Sequence, residues 1–397
     1  MSEDTGVTSR GTSLEGKNII LAVSGGIAAT ESIKLARELR RHGAIVFPMM
    51  SLSAERVITP LALSWGSGTE VVTDWEPEMS QLSGFDGLIL APATRNTIAK
   101  FTHGLLDSPL MMALSAAVGS DIPTLFVPSM HNDLFDDAVT TGLLSSLEKH
   151  NVAVFLDKPS EGRRKQPNVT TIVAEFCNLS NRRMEGRKRV AVTLGGNCAP
   201  IDSVRSIVNA STGKTGWAIA EHLHRMGHDV VCIAGQTNVE SSFALPDVRF
   251  DETPEGMLLE SIELANSDPV PEYWIHAAAV LDYVPDQFPG KRPSKMDNWT
   301  IELSPTRKHM QELKGHVLKS KRVGFKLEVV ADEDELISKS MKLISDNDLE
   351  AVVANLLDDV RGRTSTRCRM VFPNGAVERI EDLRGLCEAI EELISSS

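Results

Sequence analysis

The sequence predicts an α/β protein made of two doubly wound, Rossmann-like domains. Three observations carry this. Apolar runs of strand length alternate with helical patterns along the chain, as expected where helices cover both faces of a parallel sheet. Two strand-to-helix junctions are marked by glycine pairs, Gly25-Gly26 and Gly195-Gly196. Residues 178–188 (NLSNRRMEGRK) are polar and basic, which suits a linker, and the alternation restarts after them.

The first domain spans residues 17–177. Residues 18–23 read as a strand and 31–42 as an amphipathic helix; strands follow at 44–50, 87–91 and 122–128. A helical run at 137–149 and a strand at 152–156 complete it. Residues 1–16 are expected to be a disordered tail. The second domain covers 189–397, with strands at 190–194, 229–234, 273–276, 322–326 and 351–354. Residues 284–298 (VPDQFPGKRPSKMDN) form a long loop rich in proline, glycine and charge, and such a loop in a compact domain is usually functional or disordered.

Bulk properties narrow the function. The 397 residues suit two domains, and 42% hydrophobic with 24% charged residues is an ordinary globular composition. A net charge of −13 excludes a general nucleic-acid binder, since there is no basic excess to displace counterions. It leaves room for a phosphorylated ligand, which needs only a helix terminus and a few lysines. The five cysteines form no CxxC pair and no metal-ligand spacing, which fits a reducing cytoplasm. No apolar run reaches membrane-span length, so no membrane partner is expected.

The richest stretch is 188–235. A strand runs into Gly195-Gly196, a polar loop follows, and Asn209-Ala210-Ser211-Thr212-Gly213-Lys214 opens a helix. Glycine lets the backbone approach a phosphate, and a helix N-terminus presents free N–H groups and a positive dipole end. The spacing fits neither the dinucleotide fingerprint nor the Walker pattern. By mechanism it reads as a site for a nucleotide or phosphorylated metabolite.

GGNCAPIDSVRSIVNASTGKTG resembles the phosphopantothenate–cysteine ligase signature, roughly GGTxExIDxVRxIxNxSSGxxG. Ala277-Ala278-Ala279-Val280-Leu281-Asp282-Tyr283 resembles that family's AAAVxDY. Gly324-Phe325-Lys326-Leu327-Glu328 resembles its GFxxE, and Val353-Ala354-Asn355 its VAN. The resemblance implies ligation of 4′-phosphopantothenate with L-cysteine through an acyl-nucleotidylate, using CTP and Mg²⁺ as microbial members do. It implies that Asn209 orients the intermediate for attack, although an N-cap for the following helix is an equally open reading. Asp282 would lie near the cytidine, with backbone contacts from Ala277 and Ala278. Phe325 would pack beside the base, and Lys291, in preference to Lys295, would close over the triphosphate. Gly195, Gly196, Asp202 and Asn355 complete the implied nucleotide site. Asn197-Cys198-Ala199 departs from the family's Thr-x-Glu.

The first half resembles the phosphopantothenoylcysteine decarboxylase flavoproteins in Ser24-Gly25-Gly26-Ile27-Ala28-Ala29 and in Ala91-Pro92-Ala93-Thr94-Arg95-Asn96-Thr97-Ile98-Ala99-Lys100. This implies FMN, held by Ser24, Gly25, Gly26, Ile27, Ser51, Ala93, Thr94, Asn96 and Thr97. His103 reads as structural. Three family positions are altered: Glu78-Met79-Ser80-Gln81 stands where a catalytic histidine belongs, His131 follows Pro128-Ser129-Met130 where an asparagine belongs, and no cysteine lies between 156 and 164. Glu78, Met130 and His131 remain candidates for a variant decarboxylase site. Three readings stay open: a ligase with a degenerate flavin domain, a fully bifunctional enzyme, and a flavin-binding regulatory protein with neither activity. The family's flavoproteins form trimers and its ligases dimers, which implies a homo-oligomer.

Overall fold

The computed structural model describes residues 6–75, 84–156, 163–164, 166–293, 298–330 and 332–396. The chain forms two compact units, the first running to Arg183 and the second beginning at Met184.

In the first unit, β1 (Asn18–Val23), β2 (Ile45–Met50), β3 (Gly87–Ala93), β4 (Thr124–Pro128) and β5 (Ala153–Val154) form a parallel sheet in the order β2-β1-β3-β4-β5. Alternate residues of β1 serve opposite faces. Ile19, Leu21 and Val23 join one apolar cluster, with Leu35 and Leu39 of helix α1 (Ser32–Arg41). Ile20 and Ala22 join another, with Leu110 and Leu114. The two-residue period of a strand therefore feeds two cores, which is why its sequence reads as one apolar run. This strand order reverses direction between β1 and β3, so ligands are expected in the crevice beyond the carboxyl ends of those two strands.

The expected disordered tail needs correction within its described part. Arg10 N–H donates to the Arg41 carbonyl at 2.7 Å, Leu14 N–H donates to the His42 carbonyl at 2.8 Å, and Leu14 is fully buried. A buried apolar side chain, these backbone bonds and the Arg10–Glu38 pair dock it on the end of α1.

The second unit carries an eight-stranded sheet. Its strands are β6 (Arg189–Leu194), β7 (Asp229–Ala234), β8 (Asp247–Phe250), β9 (Tyr273–His276), β10 (Lys321–Glu328), β11 (Ala351–Leu356), β12 (Cys368–Val371) and β13 (Val377–Ile380), in the order β8-β7-β6-β9-β10-β11-β12-β13. The first six are parallel and follow the 3-2-1-4-5-6 order of dinucleotide-binding sheets. The last two are an antiparallel extension that the sequence pattern did not reveal. Here the direction reverses between β6 and β9. Among the described residues, no helix is long and apolar enough to cross a membrane.

Candidate functional site

In the first unit, β1 ends just before Ser24 and β3 just before Thr94, on either side of the reversal. Ser24 Oγ donates to the Pro92 carbonyl at 2.7 Å and accepts from Thr94 N–H at 2.9 Å. Thr94 in turn caps helix α2 (Arg95–Thr102). Ser24 is thus a fully buried tie between the two strand ends. A Cβ on Gly25 would sit 2.3 Å from Ser53 Cβ, so the turn needs glycine to pass the neighbouring loop. Beyond this turn lies a cavity of about 970 Å³, lined by Gly26, Ile27, Thr94 and Asn96 from one side and Met130 and His131 from the other. Gln166 and His103 also line it, and neither polar atom of the Gln166 amide has a partner.

The structure therefore divides the flavin candidates. Gly26, Ile27, Thr94 and Asn96 face the cavity, whereas Ser24, Gly25, Ser51, Ala93 and Thr97 do not line it and instead fix the walls. Ser51 accepts from Ala54 N–H at 3.3 Å, and Thr97 shares a hydrogen bond with Thr94 at 3.0 Å. Glu78 lies outside the described residues.

In the second unit the glycine pair has a different task from the expected anion cradle. Gly196 N–H donates to the Gln236 carbonyl and the Gly196 carbonyl accepts from Gln236 N–H, both at 2.8 Å, while Ala279 N–H donates to the Gly195 carbonyl at 2.8 Å. Gly195 has φ +80° and lies against the Gln236 carbonyl, which no side chain would tolerate. The pair pins the loops after β6, β7 and β9 together. Asn197 N–H and the Asn209 carboxamide then both donate to the Ala279 carbonyl, at 3.1 and 3.0 Å. Asn209 stands five residues before helix α3 (Lys214–Arg225), so it is not that helix's N-cap.

A cavity lies further along this loop, at the helix start. Residues 210–216, Ala277, Ala278, Phe325, Asn355 and Arg367 line a cavity of about 320 Å³ at the start of α3. Arg367 Nη2 donates to Thr215 Oγ1 at 2.9 Å, and its buried Nη1 has no partner. A second cavity, about 370 Å³, adjoins the first through Ala278, Phe325 and Lys326 and reaches Asp282, Lys308 and His276. Asp282 pairs with Lys308 at the rim, both well exposed. Such a pair contributes little to stability but sets the local charge.

Several expected residues stand away from these cavities. Asp202 is buried, and its carboxylate accepts from Val204 N–H (2.8 Å), Arg205 N–H (2.9 Å), Arg292 N–H (3.2 Å) and the Arg205 guanidinium. Burial pushes its pKa up, but those donors outweigh burial and hold it below the usual carboxylate range. Asp202 therefore anchors the loop that carries Lys291. Lys291 is exposed and lines neither cavity. Lys295 lies outside the described residues. Sequence reasoning passed over Arg307, Lys308, Lys326, Arg367 and His276. The basic run Arg307-Lys308-His309 in an acidic chain was the one signal available for the first two.

A large crevice at one sheet reversal and two adjoining polar cavities at another define a chain of two doubly wound α/β domains, each with a candidate ligand site. Residues 7–181 match the flavoprotein family, and 184–389 match the family described as the DNA/pantothenate metabolism flavoprotein C-terminal domain. The coenzyme A biosynthesis bifunctional protein CoaBC of Thermococcus kodakarensis is 35% identical over 352 residues, covering 87% of this chain and 86% of that protein. Its counterpart in Methanocaldococcus jannaschii is 31% identical over 346 residues, covering 86% and 84%. A solved DNA/pantothenate metabolism flavoprotein from Streptococcus pneumoniae is 25% identical with TM-score 0.47, covering 53% of this chain and 99% of that one. The chain belongs to the CoaBC family of bifunctional coenzyme A biosynthesis proteins and carries both of its domains.

Proposed function

We propose that the second unit joins 4′-phosphopantothenate to L-cysteine, using CTP and Mg²⁺, through an acyl-cytidylate. The observation that carries this is that the two cavities share Ala278 and Phe325 in their walls: one opens on a helix N-terminus and a guanidinium, the other is a largely polar chamber floored by Phe325, Val280 and Leu313. The triphosphate belongs at the α3 start, facing Arg367 and the first-turn amides. The base belongs in the adjoining chamber, with Phe325 against it and Asp282 at its rim. Ala277 and Asn355 line the phosphate side. Among the described residues no three His, Cys, Asp or Glu side chains converge as a metal site. Magnesium would ride on the triphosphate and water. Asn209, fixed on the Ala279 carbonyl, orients the acyl group for cysteine, and Lys291 closes over the triphosphate from the loop tied down by Asp202.

The first unit is proposed to hold FMN. Its residues fit the group: the cavity is large enough, Gly26 leaves the turn open on that side, and the unpaired Gln166 amide offers a donor and an acceptor. When bound, FMN would supply the thiol oxidation that precedes loss of CO₂. Gly26, Ile27, Thr94 and Asn96 would position it, and His131 would face the substrate carboxylate. With no histidine between His42 and His103 and no cysteine between 156 and 164, decarboxylation is impaired or lost. A fully bifunctional enzyme is the second reading, favoured by Met130 and His131 lining the same cavity.

One incubation tests these readings: purified protein with 4′-phosphopantothenate, cysteine, CTP and Mg²⁺. Phosphopantothenoylcysteine without CO₂ supports the ligase with an impaired flavin domain, and 4′-phosphopantetheine supports the bifunctional enzyme. Absence of pyrophosphate release overturns the ligase reading. A colourless preparation that fails to take up added FMN overturns the flavin reading.

A further inference from the structure

The cavity beside His276 in the second unit contains two polar groups without a partner among the described residues. His276, at the end of β9, is 7% exposed, and Asn347, the last residue of its helix (Glu333–Asn347), is 3% exposed; both line the cavity. His276 Nε2 and Asn347 Oδ1 are buried without a hydrogen-bond partner. Few buried polar atoms in folded proteins go unpaired, and those at a cavity wall are where a ligand's polar edge would be matched.

Both side chains are held in place by their surroundings. Asn347 Nδ2 donates to the Leu343 carbonyl at 3.1 Å, and its own carbonyl accepts from the Arg322 guanidinium. One N–H of its amide is therefore committed to the backbone, while the buried acceptor Oδ1 is left over. The His276 ring stacks on Trp274, with centroids 6.0 Å apart and planes 15° from parallel. Burial, with Arg322 and His309 nearby, pushes its pKa down to about 3, so the ring is neutral at physiological pH and can also accept. The wall thus asks its ligand for N–H donors.

We propose that Asn347, supported by His276, is a specificity-determining residue that selects a nucleobase carrying an exocyclic amine over one carrying a carbonyl at that position. This rests on the nucleotide reading above. Cytosine would place its amino group where an acceptor waits. Uracil would bring a carbonyl against Asn347 Oδ1, leaving two buried acceptors facing each other.

The test compares CTP with UTP in pyrophosphate release with 4′-phosphopantothenate and Mg²⁺, and CMP with UMP in calorimetric binding. An unsatisfied buried group costs enough to give roughly a ten- to hundred-fold preference for CTP in kcat/KM. Asn347→Leu should remove most of that preference by lowering the CTP value while leaving UTP nearly unchanged. Asn347→Asp, which keeps an acceptor, should retain it. Equal use of CTP and UTP by the unaltered protein overturns the proposal, as does an undiminished preference in Asn347→Leu. If no nucleotide yields pyrophosphate, the ligase reading falls instead, and the CMP-to-UMP binding ratio still decides the role of Asn347.

Discussion

The Asn209 carboxamide donates to the Ala279 carbonyl at 3.0 Å, so the loop before α3 is fastened to the loop after β9 across the reversal of the sheet. These two loops also carry residues that line the cavity at the α3 start. Losing this bond should disturb the presentation of the acyl group more than nucleotide binding. Asn209→Ala is therefore expected to accumulate acyl-cytidylate and slow amide formation about ten- to hundred-fold, with pyrophosphate release less affected. Rapid-quench measurement of the intermediate checks this, and unchanged amide formation refutes the role.

How far the sequence foretold this site depends on what each residue does. Continuous apolar runs such as 18–23 disclosed buried parallel strands because period-two packing on two cores leaves no polar face to read. The alanine and glycine motifs marked the two loops at the reversal. Their tasks were not legible, since the Gly196 N–H is bonded to the Gln236 carbonyl and the Gly195 carbonyl accepts from Ala279 N–H, so the pair ties loops together. Arg367 and His276 carried no local signal: each sits in or beside an apolar strand, and only the sheet order brings them to the cavities. The packed tail was missed because backbone bonds, the Arg10–Glu38 pair and one buried apolar side chain, Leu14, hold it, and none of these makes a periodic pattern.

Arg367 offers a buried, unpaired Nη1 to the cavity at the α3 start. A charge-assisted bond to a phosphate oxygen there contributes on the order of 1.5–3 kcal/mol. Arg367→Gln should raise KM for CTP about tenfold or more while changing kcat less. Arg367→Lys should recover part of the loss, since it keeps the charge without the planar fork. Steady-state kinetics at several CTP concentrations settles this, and an unaltered KM would remove Arg367 from the nucleotide site.

Lys308 and Lys291 should have separable effects. Lys308 sits at the chamber rim beside Asp282, so Lys308→Met leaves an uncompensated carboxylate near a polyanionic ligand. The expected result is a several-fold higher KM for CTP that worsens as salt is lowered, because screening no longer hides the repulsion. Lys291→Met should slow pyrophosphate release with a smaller change in KM. Stopped-flow release assays at two ionic strengths distinguish them, and identical profiles would contradict the separate roles.

The docked tail gives the first unit an acid-sensitive joint. Glu38 is buried and pairs with Arg10 at 3.0 Å and Arg41 at 2.8 Å, with His42 at 3.8 Å. Burial alone would raise its pKa, but the bonds from His42 and Arg41, with Arg10, hold it down to about 2. Because the folded value lies below the unfolded one, the unfolded chain takes up a proton first as pH falls. The contribution is fully present above the ordinary carboxylate range and is lost as pH drops from there towards about 2. The shift corresponds to at most about 3 kcal/mol at neutral pH. Glu38→Gln should lower stability at neutral pH and flatten its dependence below the ordinary carboxylate range. Amide hydrogen exchange in β1 and α1 reads this locally, without assuming that two units unfold as one. An acid limb as steep in the variant as in the parent would show that Glu38 is not the titrating group.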